Sequence, residues 1–424
     1  MSIVVIHTTT HVYRGNLMSD PGWKQSVLQG IGTRVEAMAE LHPRAYLLLT
    51  TVFAITGFAC LLLFPLLALT SVAGIYQSLA RSTDVIWLQL LAWTLLAGFS
   101  GLVSYRIIRF RPLLPAGIVL EREQALDLFQ LVEDTAEQYA CPAIDRIVIT
   151  GAYQLEIVKT PFTGLPVWST HSLVIGLPLM QCLSTKRFGC LLARRLGQFS
   201  RRNNPLLNWL FGLRDIWPRY QLAPVGTDYG FLPVRWLFSI YAPLYTVVST
   251  AAARLDELQA DSYAMELYGD EEVLDTITTD TVYRLFLLEK YWPAIRKLGV
   301  QDTAAITRSN SGMVTVLRIG LQDGNIGQWI EKAMSMEQQW DDPWPLLPQR
   351  LDNVGHVHAS IDTHMVESAA EDYLAAISQD LKAALEDIPP PPEYPQMQPW
   401  SVRIAGLKRK GQSAIQGWRA GEAN

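Results

Sequence analysis

Two long stretches without a charged residue constrain this chain more than anything else in it. Ala45–Ala80 runs for 36 residues and Val85–Tyr105 for 21, neither with an Asp, Glu, Lys or Arg. About 20 apolar residues cross the hydrocarbon core of a bilayer as helix, so the second stretch is one span with little to spare. The first is longer than one span needs. Pro65, together with the later Ser-Val-Ala-Gly, is expected to kink it or end it near the far interface. Two buried core helices are the alternative, and they fit these lengths less well. With 49% hydrophobic residues over 424, the chain has enough apolar material for both spans and a separate core.

The basic residues orient the hairpin. Arg14, Lys24, Arg34 and Arg44 precede the first span, and Arg106, Arg109 and Arg111 follow the second, whereas the connection Arg81–Asp84 carries one Arg. By the positive-inside tendency both termini face the cytoplasm. No secretory signal is visible, since Ser2–Ile6 is too short an apolar run. Translation starts at Met1 or Met18, and the sequence leaves that choice open. Cys60, Cys141, Cys182 and Cys190 are scattered in apolar surroundings without a CxxC, as free thiols in a reducing compartment would be. A net charge of −5 argues against attraction to nucleic acid.

Beyond the spans the pattern is α+β. Glu123–Tyr139 repeats apolar residues at helical spacing through Leu126, Phe129, Val132 and Ala136. Arg146–Thr150, Gln154–Lys159 and Ser172–Gly176 are rich in β-branched residues and predict strands. Ser184 is placed to cap a helix running to about Arg202, ended by Asn203-Asn204-Pro205. Leu206–Tyr220, Trp236–Tyr268 and Thr276–Leu298 are predicted as further helices, which leaves a small sheet beside them. His171, on the third strand, is expected at a polar edge. Residues 389–399 hold six prolines in eleven and predict an extended linker. The tail Ser401–Asn424 carries Arg403, Lys408, Arg409, Lys410 and Arg419 against the single acid Glu422. It is either a disordered solubilising tail or a segment lying on an anionic inner leaflet.

The chemistry is concentrated in Leu191–Pro205, LLARRLGQFSRRNNP. A zinc helix of the HExxH type carries two His four residues apart, on one face, with a Glu after the first as general base. The frame of such a helix is present here in Leu192, Ala193, Leu196, Gly197, Phe199 and Ser200. Arg194 and Gln198 stand at the two ligand positions, and Arg195 at the position of the general base. A guanidinium stays protonated and has no acceptor, so it neither binds zinc nor takes a proton. Further on, Arg254-Leu-Asp-Glu257-Leu-Gln-Ala260-Asp261 has the pattern R-x-x-E-x-x-A-D, with Glu257 and Asp261 four residues apart on one helical face. Arg194 and Glu257 are 63 residues apart, which suits two helices joined by a long insert.

With these residues in place, the chain resembles the HtpX and CAAX-prenyl-protease family of membrane gluzincin metallopeptidases over roughly Glu121 to Val354. His171-Ser-Leu-Val-Ile-Gly-Leu-Pro178 resembles the strand before the zinc helix, and Leu183-Ser184 the entry to it. Pro345-Leu-Leu347-Pro-Gln-Arg350-Leu351 resembles a later H-P-x-L-x-x-R-L segment, with Trp344 in place of its His. The resemblance implies a two-span hairpin in the inner (plasma) membrane followed by a mainly helical, metallopeptidase-like cytosolic domain with a small β-sheet. It implies the organisation 1–44 cytoplasmic segment, 45–105 hairpin, 113–387 peptidase-fold domain, 388–424 linker and tail. It also implies that Glu257 and Asp261 retain the ligand and supporting positions while Arg194, Arg195 and Gln198 have lost theirs, so no zinc or other cofactor is expected.

Three functions follow. In the first, the chain is a pseudopeptidase: its arginine helix pairs with the acidic Asp256-Glu257…Asp261 helix, Arg194 or Arg195 bridging Glu257, and holds the former cleft shut or ready for a protein partner. Alternatively, the basic run Lys186, Arg187, Arg194, Arg195, Arg201 and Arg202 captures an anionic headgroup, phosphate or acidic peptide. As a third reading, an unfamiliar residue set makes it an active membrane endopeptidase. His356, His358 and His364, with Asp362 and Glu367 nearby, form the one ligand-like histidine grouping, read either as a surface loop or as a metal site. No GxSxG, Walker A or GxGxxG motif stands between a strand and a helix, which leaves serine hydrolysis and nucleotide binding without support.

Overall fold

A computed structural model describes residues 22–80, 86–110, 117–163, 168–200, 204–221, 229–299, 309–322, 325–338, 342–355, 361 and 368–375. Arg14, Met18, Arg81–Asp84, Arg111, Arg201, Arg202, Asn203, the cluster His356, His358, His364 with Asp362 and Glu367, and the proline-rich and basic segments after residue 388 lie outside the described residues.

The chain is mostly helical with one small mixed sheet. Helix α1 (Gly22–Leu41) precedes two helices long and apolar enough to cross a membrane, α2 (Pro43–Ala80) and α3 (Ile86–Arg109). The expected break near Pro65 does not occur, and α2 continues unbroken to Ala80. Proline removes one donor, but in an apolar surrounding any non-helical alternative would orphan many more backbone groups. The second apolar helix also runs past the predicted Tyr105 to Arg109, since Arg106 and Arg109 in its last turn oppose the helix dipole favourably. Polar side chains on both helices are satisfied internally: Thr50, Ser71, Ser78, Ser100 and Ser104 each donate to the carbonyl four residues back. Where α2 and α3 approach, Gly74 lies directly against the Trp93 ring, so a side chain there would drive the pair apart.

The sheet contains β1 (Ile118–Leu120), β2 (Arg146–Thr150), β3 (Leu155–Pro161) and β4 (Ser169–Gly176), in the order β1-β2-β4-β3. Strands β2 and β4 are parallel, and the two outer pairings are antiparallel. His171 is therefore on an interior strand, not at an edge as expected. Its ring packs edge-on against Phe199 with centroids 4.8 Å apart, and burial lowers its pKa. One sheet face, through Ile147, Ile149, Leu173 and Ile175, joins the main core with α4 (Leu126–Gln138), α5 (Leu177–Cys182) and α6 (Thr185–Phe199). Helix α6 starts where expected, with the Ser184 side chain accepting from the Arg187 amide, but it ends at Phe199, short of the predicted Arg202, because the backbone at Ser200 turns to an extended conformation.

A second core binds the domain to the apolar hairpin. Helices α7 (Pro205–Gln221) and α8 (Leu232–Val248) pack Trp217, Tyr220, Phe238 and Tyr241 against Leu61 and Phe64 of α2 and Ile107 of α3. The single helix predicted over Trp236–Tyr268 is two, α8 and α9 (Thr250–Tyr268), bent by 52° at Ser249. A bend leaves backbone groups without helical partners, and two distant side chains supply them. The Tyr46 hydroxyl donates to the Val248 carbonyl at 3.0 Å and accepts from the Ala252 amide at 2.8 Å, while Arg214 donates to the Thr246 carbonyl and to the Ser249 and Thr250 hydroxyls. Periodicity carries no trace of this, because both halves keep a helical repeat. The predicted helix Thr276–Leu298 is likewise divided into α10 (Asp270–Phe286), a π-helical turn Leu287–Tyr291 and α11 (Trp292–Gly299).

Candidate functional site

Helix α6 is buried along its length from Arg187 to Phe199. Its contact with α9 is unusually close because small residues stand at every fourth position: Gly189 meets the Tyr268 ring, Ala193 lies inside the core, and Gly197 meets Tyr263. A Cβ on Gly197 would collide with the Cβ of Tyr263. The motif's glycine is thus required by helix packing, independently of any metal.

That close approach brings together Arg194, Arg195 and Gln198 of α6 with Glu257 and Asp261 of α9. Arg194 donates through Nη2 to Glu257 Oε2 and through Nε to Asp261 Oδ1. Arg195 donates from Nη1 to Glu257 Oε1 and to Gln198 Oε1, both at 2.9 Å. Gln198 turns its amide nitrogen to Asp256 Oδ2 at 2.6 Å and to Glu257 Oε1 at 3.3 Å. Both arginines engage Glu257, whereas the helical phase had suggested that only one would reach it. Residues 194, 195 and 198 lie close enough in phase to share the face toward α9, and residues 257 and 261 present one turn back toward them.

Two contributors were not assigned a role from the sequence. Arg350, on the short helix Leu347–Val354, closes a bidentate pair on Asp261, with Nε to Oδ2 at 2.8 Å and Nη2 to Oδ1 at 2.7 Å. Trp344 lays its ring 5.2 Å from the Arg195 guanidinium carbon, within cation–π range. Both belong to the segment read as resembling H-P-x-L-x-x-R-L, so its position in the chain was legible, but a partner for Arg350 could not be named without the tertiary contact. Asp256 was visible only as an acid beside Glu257.

The result is a buried network with balanced charge, Arg194, Arg195 and Arg350 against Asp256, Glu257 and Asp261. Burial alone would raise the Glu257 pKa, but the guanidinium groups of Arg194 and Arg195 outweigh it and hold the carboxyl at about 2. Burial is likewise overcome at Asp261, where Arg350 and Arg194 lower the pKa. Arg194 shows the converse: burial disfavours its charge, yet Glu257 and Asp261 keep its pKa above the ordinary arginine value.

A pH prediction follows with a definite sign. A carboxyl whose pKa is lower folded than unfolded contributes stability that is present above its unfolded pKa and lost as pH falls through the folded one. Glu257 should therefore cost the fold stability progressively between about pH 4.5 and about pH 2. Denaturation of the full chain across that range should show the loss in the unmodified protein and a shallower slope in Glu257→Gln. Parallel slopes would show that Glu257 does not titrate in this way.

The residues present do not fit zinc. Arginine has no lone pair to offer, and the oxygens of Glu257 and Asp261 that would serve as ligand and support already accept from guanidinium groups. Among the described residues no group of three or more His, Cys, Asp or Glu is arranged to hold a metal ion. The remaining basic residues of α6 that are described are also paired, Lys186 with Glu272 and Arg187 with Asp275. No family model, no characterised protein and no solved structure matches this chain.

Proposed function

We propose that this chain is a membrane-anchored member of the HtpX-like metallopeptidase group that has become a pseudopeptidase, acting as a scaffold or regulator from the cytoplasmic face of the inner membrane. Two helices are long and apolar enough to cross a membrane, and the distribution of Lys and Arg around them favours a hairpin with the domain inside. The observation that carries the reading is the network itself. Arg194, Arg195 and Gln198, at the three positions where a zinc helix needs two ligands and a base, are joined to Glu257 and Asp261 in one closed set of hydrogen bonds. A carboxylate in a desolvated cleft needs a counter-charge, and arginine supplies here what a metal supplies in an active peptidase. Capture of an anion by Arg194 or Arg195 would require it to displace carboxylates already in place, which makes the anion-binding alternative the weaker one.

Two measurements test this. Metal analysis and protease assays of the purified full-length protein should find no stoichiometric zinc and no chelator-sensitive cleavage of casein; either result, if positive, overturns the pseudopeptidase reading. For topology, reporters fused after Arg111 or at the C-terminus should read as cytoplasmic, and one inserted at Arg81–Asp84 as external. Digestion of the 121–387 region by protease added to intact cells would reverse the orientation.

A further inference from the structure

Among the described residues, helix α8 has one face that no other element covers. Leu232, Trp236 and Ile240 stand four residues apart, on one side of the helix, and are 42%, 66% and 53% exposed. The other side, Val234, Phe238, Tyr241 and Tyr245, is buried against α2 and α7. Its height along the apolar hairpin is set by contacts at both ends. Phe231 stacks on Phe110, just past the end of α3, with centroids 4.7 Å apart, and Gly230 lies against Leu102 and Arg106. Toward the far end, the Tyr241 hydroxyl donates to the Phe53 carbonyl at 2.7 Å and the Tyr46 hydroxyl to that of Val248.

This is the level at which α2 is too long for a bilayer. Counted from the Gly74–Trp93 contact along an antiparallel hairpin, Arg106 and Arg109, the basic end of α3, are level with Leu61 and Phe58 of α2, and Ile107 accordingly shares a core with Leu61 and Phe64. The uncharged run of α2 begins more than three turns earlier, at Ala45, and there it exposes Leu48, Leu49, Val52 and Ile55. A helix of 36 residues is about 54 Å long, against a hydrocarbon core of about 30 Å. The stripe of α8 thus starts level with the basic end of α3 and continues along the surplus of α2, and the exposed Leu102 beside Gly230 links it to the outer side of α3.

We propose that α8 lies in the membrane interface, with Leu232, Trp236 and Ile240 against lipid. This rests on α2 and α3 crossing the bilayer, and adds to it that the domain is seated partly in the headgroup region. Tryptophan favours that depth, having an apolar ring and one polar N–H. Helix α8 runs alongside α2, meeting Arg106 of α3 at its start and Phe53 and Tyr46 of α2 further on, so its outer leucine, tryptophan and isoleucine extend the apolar surface of the hairpin. The lipid contact continues a surface that α2 and α3 already present, so neither a second copy nor another protein is needed to cover the stripe.

The test uses the full-length protein in proteoliposomes of phosphatidylethanolamine and phosphatidylglycerol. In a background with Cys60, Cys141, Cys182 and Cys190 replaced by Ala, a nitroxide is attached through Trp236→Cys or Ile240→Cys. Leu95→Cys on α3 serves as the lipid reference and Leu126→Cys on α4 as the water reference. At Trp236 and Ile240, accessibility to dissolved oxygen should exceed accessibility to a nickel chelate, as at Leu95 and opposite to Leu126. Chelate accessibility like that of Leu126 at both sites overturns the proposal. If Leu95 itself reads as water-exposed, the spanning of the hairpin has failed instead. A benzophenone side chain at position 236 of the otherwise unmodified protein gives an independent readout should the cysteine-free background not fold. Photoadducts to lipid support the proposal, and adducts to a second copy or to another protein refute it.

Discussion

Arg194→Ala and Glu257→Ala should each destabilise the fold by about 3–5 kcal/mol, and the double variant by less than the two losses combined. The reason is what each single change leaves behind. Without Arg194, Glu257 is left with Arg195 and Gln198 in a fully buried position, and Asp261 is left to Arg350. Without Glu257, Arg194 retains Asp261, and Arg195 keeps a neutral amide and the Trp344 ring. In each case the buried network is left one charge out of balance, and an uncompensated charge away from water costs far more than the loss of an exposed pair. Lys186→Ala is the control: its ammonium is mostly exposed beside Glu272, so its loss should be within about 1 kcal/mol. Denaturant titration of the full chain in micelles measures all four proteins. Additive losses, or none, would mean that the buried pair is not formed.

A larger response is expected from introducing the side chains of a zinc helix. Arg194→His, Arg195→Glu and Gln198→His together remove two of the three guanidinium groups and add a carboxylate. Arg350 then faces Asp256, Glu257, Asp261 and the added acid alone. The variant without metal should be strongly destabilised, by more than either single change above, because several buried carboxylates share one cation. If the surrounding helices hold the frame, two imidazoles and Glu257 provide three ligands, and zinc should bind at one equivalent and raise the melting temperature steeply. Proteolysis need not follow, since positioning of a substrate is a separate requirement. A variant that folds well without zinc and gains nothing from it would show that Glu257 does not stand where a third ligand must.

Some of this arrangement was legible in the residues themselves. The apolar hairpin announced itself by length and absence of charge, because solvation of charge in hydrocarbon is so costly that the pattern admits few folds. The strands Arg146–Thr150 and Ser172–Gly176 and the cap at Ser184 were readable for a similar reason, being local choices of backbone conformation. The two ends of the site were also marked, since residues four apart on a helix share a face wherever that helix goes. The divided helices and the strand order were not readable. The break at Ser249 depends on Tyr46, some two hundred residues away, and on Arg214, neither of which bears on the local periodicity. The placement of His171 on an interior strand depends on β3 crossing to the far side of β4, a choice made between strands and not within them.

The sequence by itself determined that residues 194 and 195 cannot serve as zinc ligand and general base, because an arginine side chain is so basic that it stays protonated and offers no lone pair, whatever surrounds it. It also determined which acids were available to answer those charges, Glu257 and Asp261 on a second helix. Only the tertiary structure decided how they are answered. The packing of Gly189, Ala193 and Gly197 against α9 lets two arginines and a glutamine converge on one buried carboxylate, and Arg350 arrives from a separate helix to complete Asp261. A side chain's charge is a property of the residue, but its partner is a property of distance, and in this protein the distances are set by how closely α6 and α9 can approach.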